Sequence, residues 1–215
     1  MAAGTAFMGR RALKHHLHRD DLPAGLEFGQ SVAIDSETMG LDPLRDRLCL
    51  IQLSAGDGVC HLVQFRAGDY SAPNLKALLA DPKVTKLFHF ARFDVAAIRH
   101  YLGVTCGPVY CTKIASRLAR TFTDRHGLKD LCRDLLGVEI SKQMQSSDWG
   151  AAELSEEQLR YAASDVLYLH RLREGLDAML EREGRAALAR ACFEFLPARA
   201  ALDLAGWGDV DIFAH

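Results

Sequence analysis

With 215 residues, 49% of them hydrophobic, the chain is long enough for one sizeable core and too short for two comfortable domains. A formal charge of −2 and an isoelectric point near 6.5 exclude the uniformly basic surface that clamps many phosphates of a long duplex, so a nucleic-acid substrate would be short and held locally. No apolar run approaches the roughly 20 residues that a membrane-spanning helix needs, and no membrane partner is expected.

In chain order, residues 1–19 carry Arg10, Arg11, Lys14, His15, His16 and His18 without the apolar core of a secretory signal. They read as a flexible, non-catalytic N-terminal extension, with a single domain over 20–215. Strands are predicted at 31–36, 48–54 and 58–63, the last two joined as a hairpin through Gly56-Asp57-Gly58. Between the first two, residues 40–47 form a loop by their Gly, Pro and charges. A helix at 73–80 stops before Asp81-Pro82, and a strand follows at 86–90. One more short strand is expected near Val109-Tyr110-Cys111, with helices at 112–120, 126–136, 155–177 and 181–200. Strands first, then strand and helix alternation, imply an α/β chain with a mixed central sheet and helices on both faces, an RNase H-like architecture. The tail from Gly206 to Phe213 has apolar groups with little helical period, so it should pack on its own domain or on a neighbouring subunit.

Three of these segments carry acids aimed by their periods. In Ser31-Val32-Ala33-Ile34-Asp35-Ser36-Glu37, strand alternation sends Asp35 and Glu37 to one face, where they repel unless a cation sits between them. Tyr161 and Asp165, four apart in a helical stretch, stack on one helical face. Asp94 opens a helix just after the apolar run 86–90. Alone, an Asp-x-Glu after a strand is usually a solvated strand end, an Asp in a first turn is a cap or dipole partner, and a Tyr and Asp four apart are a helix-surface pair. Four acids together in this order point instead to a two-metal site. Oxygen donors without clustered His or Cys call for Mg2+ or Mn2+, two ions per site roughly 3.5–4 Å apart.

The six cysteines form no Cys-x-x-Cys pair and several lie inside apolar runs, which reads as a reducing cytoplasm without disulfides. The nine histidines have no zinc-type spacing.

Asp-x-Glu on a strand, an Asp opening a helix after a later strand, and Tyr-x-x-x-Asp on a late helix together resemble the DEDDy branch of 3′-to-5′ exonucleases, which includes RNase D. Further segments are similar to the nano-RNase C family of alphaproteobacteria: Leu44-Arg45-Asp46-Arg47-Leu48-Cys49, Phe88-His89-Phe90-Ala91-Arg92-Phe93-Asp94, Cys111-Thr112-Lys113-Ile114-Ala115-Ser116, Thr123-Asp124-Arg125-His126-Gly127-Leu128-Lys129, Gln145-Ser146-Ser147-Asp148-Trp149, Tyr161 through His170, and Asp211-Ile212-Phe213-Ala214-His215. The N-terminal extension departs from the pattern, and the additional helical domain of longer RNase D proteins does not follow. The resemblance implies a 3′-to-5′ exoribonuclease on short oligoribonucleotides, dinucleotides among them, with single-stranded DNA as a further partner, and a homo-oligomer in the form of an octameric ring. Asp35 is then the bridging ligand, Glu37 and Asp165 complete the ion that holds the water, and Asp94 supports the second ion. Tyr161 orients the water, since a phenol with a reference pKa of about 10 is a poor base at neutral pH.

Leu41 follows Gly40 directly after the metal strand, where similar enzymes use a leucine as a wedge against the terminal bases; loop packing is its ordinary alternative. His89, Arg92 and Ser147, with Lys113, Arg125, His126 and Lys129, are the polar candidates for holding substrate phosphates or closing the substrate end. A site closed at the 5′ phosphate would confine activity to dinucleotides, whereas an open one would trim longer RNA. Competing readings are a broader RNase D-type exonuclease on single-stranded RNA or DNA, an inactive RNA-binding module, and a scaffolding ring.

Overall fold

The computed structural model describes residues 14–214 apart from 142 and 145. Its sheet has six strands in the order β1-β4-β3-β2-β5-β6: β1 Lys14–Arg19, β2 Ser31–Thr38, β3 Leu48–Ser54, β4 Val59–Gln64, β5 Thr85–Phe88 and β6 Val109–Cys111. Strands β2, β3 and β4 form an antiparallel meander, turned at Gly56 and Gly58, both with φ above +80°. Strands β5 and β6 extend the sheet in parallel beyond β2. All seven residues of β3 are buried, as a central strand covered on both faces requires.

The first strand corrects the expectation of a frayed extension through residue 19. Lys14–Arg19 pairs in parallel with β4, and the rings of His16 and His18 stack on His61 at 5.5 and 5.2 Å between centroids. A strand that packs histidine on histidine lacks the apolar alternation by which strands are recognised. The rest of the expected extension, residues 1–13, lies outside the described residues.

Among the described residues there are also seven helices: α1 Pro73–Ala80, α2 Ala91–Ala97, α3 Thr112–Ala119, α4 Leu128–Leu131, α5 Glu156–Val166, α6 Leu169–Arg182 and α7 Ala186–Leu202. Helices α2, α4 and α7 each run on into a wider π-type turn, over Ile98–Leu102, Cys132–Leu136 and Asp203–Trp207. The helix predicted over 155–177 is two. Ser164 Oγ donates to the Tyr161 carbonyl at 2.7 Å, a back-bond that bends helices, and α5 gives way to α6 at Leu167-Tyr168. The helix predicted from 181 begins at Ala186, because Gly184, with φ 66°, terminates α6 first.

Among the described residues no helix is long and apolar enough to cross a membrane. All six cysteines are free, and all but Cys192 are buried.

Candidate active site

Strand β2 pairs with β5 only over Ser31–Ala33, so its last residues, still paired with β3, border a cleft on their other edge. Asp35 and Glu37 point together toward α5, which crosses β2, β3 and β4 and brings Asp165 opposite them. One oxygen from each of Asp35, Glu37 and Asp165 lies within 4.8 Å of the others. Ser36, between the two acids and alternating away from them, donates from Oγ to Asp94 Oδ1 at 2.6 Å. Asp94, on the first turn of α2 and 3% exposed, lines the same cleft but stands outside the group of three.

The position of α5 follows from its start. Ser155 and Gln158 form a reciprocal capping box, and Gln158 Nε2 also donates to the Asp148 carbonyl at 3.1 Å, tying the helix to the loop that carries Trp149. The buried Trp149 ring lies 6.0 Å from that of Tyr161, whose hydroxyl hydrogen bonds to Asp165. Below the strand, Gln52, opposite Asp35 on β3, donates to Glu37 Oε1 at 3.4 Å.

Without a cation this cluster is electrostatically unfavourable. Burial holds the Asp35 carboxyl at about 7, although the cleft keeps it partly accessible. Burial, then the charges of Asp35, Asp165 and Asp94, push Glu37 up to about 10. Asp94 is raised well above the usual carboxylate range by burial and by Asp35. Burial and the neighbouring carboxylates push the Tyr161 phenol far upward, so it serves as a hydrogen-bond donor and not as a base. All-oxygen donors that are costly to ionise without a counterion fit a hard divalent cation.

The cleft, about 650 Å³, is lined by Leu41, His89, Lys113, Lys129 and Ser147 besides the acids and Tyr161. Leu41 is 87% exposed at its rim. The bend behind it is tight at Gly40, where an added Cβ would displace the Asp46 carboxylate. That carboxylate accepts the Asp42 N–H at 3.0 Å and so closes the loop. His89 Nδ1 lies 2.9 Å from Thr112 Oγ1, which donates to the Phe88 carbonyl, so Nδ1 carries the proton.

Three of the proposed polar contacts lie elsewhere. Arg92, two residues from Asp94 and so about 200° around the helix, faces the C-terminal segment and binds Asp203 and the Gly208 carbonyl. His126 Nδ1 pairs with Ser116 Oγ at 2.8 Å, and Arg125 is exposed away from the cleft lining. Sequence reasoning passed over Ser36, Gln52 and two further residues that line the cleft, Phe90 and Phe93. A serine set between the two acids of β2 is the one signal that could have marked the first.

Residues 19–181 match the 3′-5′ exonuclease family. The chain belongs to that family. Its similarity to curated relatives includes ribonuclease D of Acidiphilium cryptum, 37% identical over 154 residues, which covers 72% of this chain and 39% of that protein. Ribonuclease D of Gluconacetobacter diazotrophicus is 38% identical over 154 residues, with the same coverage. The chain therefore spans about 39% of the length of those relatives. Among solved structures, Brucella melitensis NrnC with bound Mg2+ is 56% identical at a TM-score of 0.91, over 94% of this chain and 99% of that one. Brucella melitensis NrnC bound to pGG is 56% identical at 0.92, over 95% and 100%. Escherichia coli RNase D shares the fold at 27% identity and a TM-score of 0.69, over 80% of this chain and 45% of that one.

Proposed function

We propose that the protein is a divalent-metal-dependent 3′-to-5′ exoribonuclease that hydrolyses short oligoribonucleotides, dinucleotides foremost, to nucleoside 5′-monophosphates. The observation that carries this reading is the group of three carboxylates within 4.8 Å at the base of a cleft that also holds Asp94 and Tyr161. A volume of about 650 Å³ lies in the range that holds a small ligand, and a dinucleotide is of that size. The similarity to NrnC, seen with Mg2+ and with pGG, supports both the ion class and the substrate length.

Asp35, Glu37 and Asp165 would hold one Mg2+ or Mn2+, with Asp35 shared by a second ion that Asp94 supports. When bound, such a pair supplies an activated water on one side of the phosphodiester and neutralises the leaving 3′ oxygen on the other. The chain's own groups do the rest. Tyr161 orients the water through its hydroxyl oxygen, and the Trp149 ring packs beside the phenol. Leu41 stacks on a base from the rim, which fixes a short substrate without reading its sequence. His89, Lys113, Lys129 and Ser147 surround the remaining cleft and contact the phosphates.

The RNase D relatives motivate one competing reading, a broader exonuclease on single-stranded RNA or DNA. Initial rates on two-, three- and seven-nucleotide RNAs and on DNA, with and without chelator, test both. A dinucleotide rate that is highest and is lost in chelator supports the proposal; equal rates at all lengths favour the broader enzyme. The six free cysteines fit a reducing cytoplasm. Exposed Trp207, Val210, Ile212 and Phe213, the last 70% accessible, suit a subunit interface in a homo-oligomeric, octameric ring. Sedimentation of the intact chain against one ending before Gly206 tests that assembly.

A further inference from the structure

The turn of α2 that presents Asp94 to the cleft is gripped from behind by the C-terminal segment, and we propose that Arg92 is a positioning residue through which this segment sets metal affinity at Asp94. The inference rests on the metal-dependent reading above. Arg92 donates from Nε to Asp203 Oδ2 at 2.7 Å and from an Nη to Asp203 Oδ1 at 2.8 Å, a two-pronged ion pair. The same guanidinium reaches the Gly208 carbonyl at 2.7 Å. Arg199 closes the other side, 2.8 Å from Asp203 Oδ1, and donates to the carbonyls of Trp207 at 3.0 Å and Gly208 at 2.7 Å. Two cations thus share one largely buried carboxylate and gather the backbone of residues 207 and 208 against α2.

Two features make the grip matter to Asp94. Phe90, which enters α2, has φ 73° and ψ 41°, a left-handed conformation that a bulky side chain holds only when its surroundings impose it. The helix start is therefore a point at which α2 would relax if released. Asp94 also lies outside the group of three carboxylates, so its distance to an ion depends on where α2 sits, and Ser36 restrains it from the β2 side alone. Arg92 and Asp94 occupy opposite sides of one helical turn, so tension on one is position for the other.

Asp203→Asn keeps the shape and removes the charge; Arg92→Lys keeps the charge and removes the fork. Isothermal titration with Mn2+, alongside melting in chelator, reads metal binding without turnover. Both variants should bind the weaker ion about tenfold less tightly, at the low end of what losing an outer supporting contact costs, with only a small drop in melting temperature. The Mg2+ concentration for half-maximal hydrolysis of a dinucleotide should rise by the same factor, with KM at saturating Mg2+ within twofold. Asp94→Asn should show a larger loss in the same binding step. If wild-type protein binds Mn2+ and both variants titrate like it, the inference fails alone. A wild type that binds no Mn2+ sinks the metal reading and the inference with it.

Discussion

Replacing Asp35 by asparagine is expected to stabilise the metal-free protein while abolishing its response to divalent ions. A carboxyl held at about 7 in the fold, against an ordinary 3.8, binds its proton more tightly in the native state. The native state is therefore favoured in acid, and stability is lost as pH rises from about 4 through 7; Glu37, at about 10, extends the loss into alkali. Full linkage for Asp35 corresponds to about 4 kcal/mol above neutrality. Because the cleft leaves the carboxyl partly accessible, we expect solvent to screen this to about 1–2 kcal/mol. For a chain of this size that is roughly 2–8 °C in Tm. The assay is thermal melting in chelator at about pH 5 and about pH 8, repeated with excess Mg2+. Wild type should melt lower at the higher pH and recover with Mg2+, since an ion at about a hundred times its Kd contributes about 2.7 kcal/mol. Asp35→Asn should melt higher than wild type in chelator at the higher pH and gain little from Mg2+. A variant that melts lower than wild type there would mean that the Asp35 carboxylate makes attractive contacts the repulsion account omits.

Tyr161→Phe should lower kcat by about 10- to 100-fold with KM and Mn2+ affinity nearly unchanged; because the phenol is shifted far upward, the wild-type pH-rate profile near neutrality should keep its shape in the variant, and a matching loss of substrate affinity would speak against an orienting role. Leu41→Ala, at a side chain that is 87% exposed, should leave Tm within about 1 °C and raise the dinucleotide KM about tenfold, as loss of one base stack does; an unchanged KM returns Leu41 to plain loop packing. Gln158→Ala removes the capping box and the tie to Asp148, and should cost about 1–2 kcal/mol in urea melts together with a drop in kcat; a stability loss at constant kcat would separate the helix start from the placement of Tyr161.

What the sequence disclosed and what it hid divide along one physical line. Asp35, Glu37, Tyr161 and Asp165 were legible because strand and helix periods decide which way a side chain leaves its own element, and each pair lies within one element. The hairpin at Gly56 and Gly58 was legible because the turn chemistry is local. Arg92 was misassigned because a cation on a helix surface reads alike whether its face meets a cleft or a carboxylate 111 residues away. Strand β1 was hidden because its stabilising partner is His61 on a strand far along the chain, and the break between α5 and α6 because neither Gly nor Pro stands at Leu167-Tyr168 to mark it.

That division bears on the site itself. The group of three acids is assembled from two elements whose mutual placement is fixed by the sheet and by the capped start of α5, which makes it the rigid part. Asp94 arrives on an element entered through a strained residue and anchored by the far end of the chain. Two metal positions built on such unequal supports should differ in affinity, the one served by Asp94 being weaker, and subunit contacts on the adjoining tail would act on that position alone.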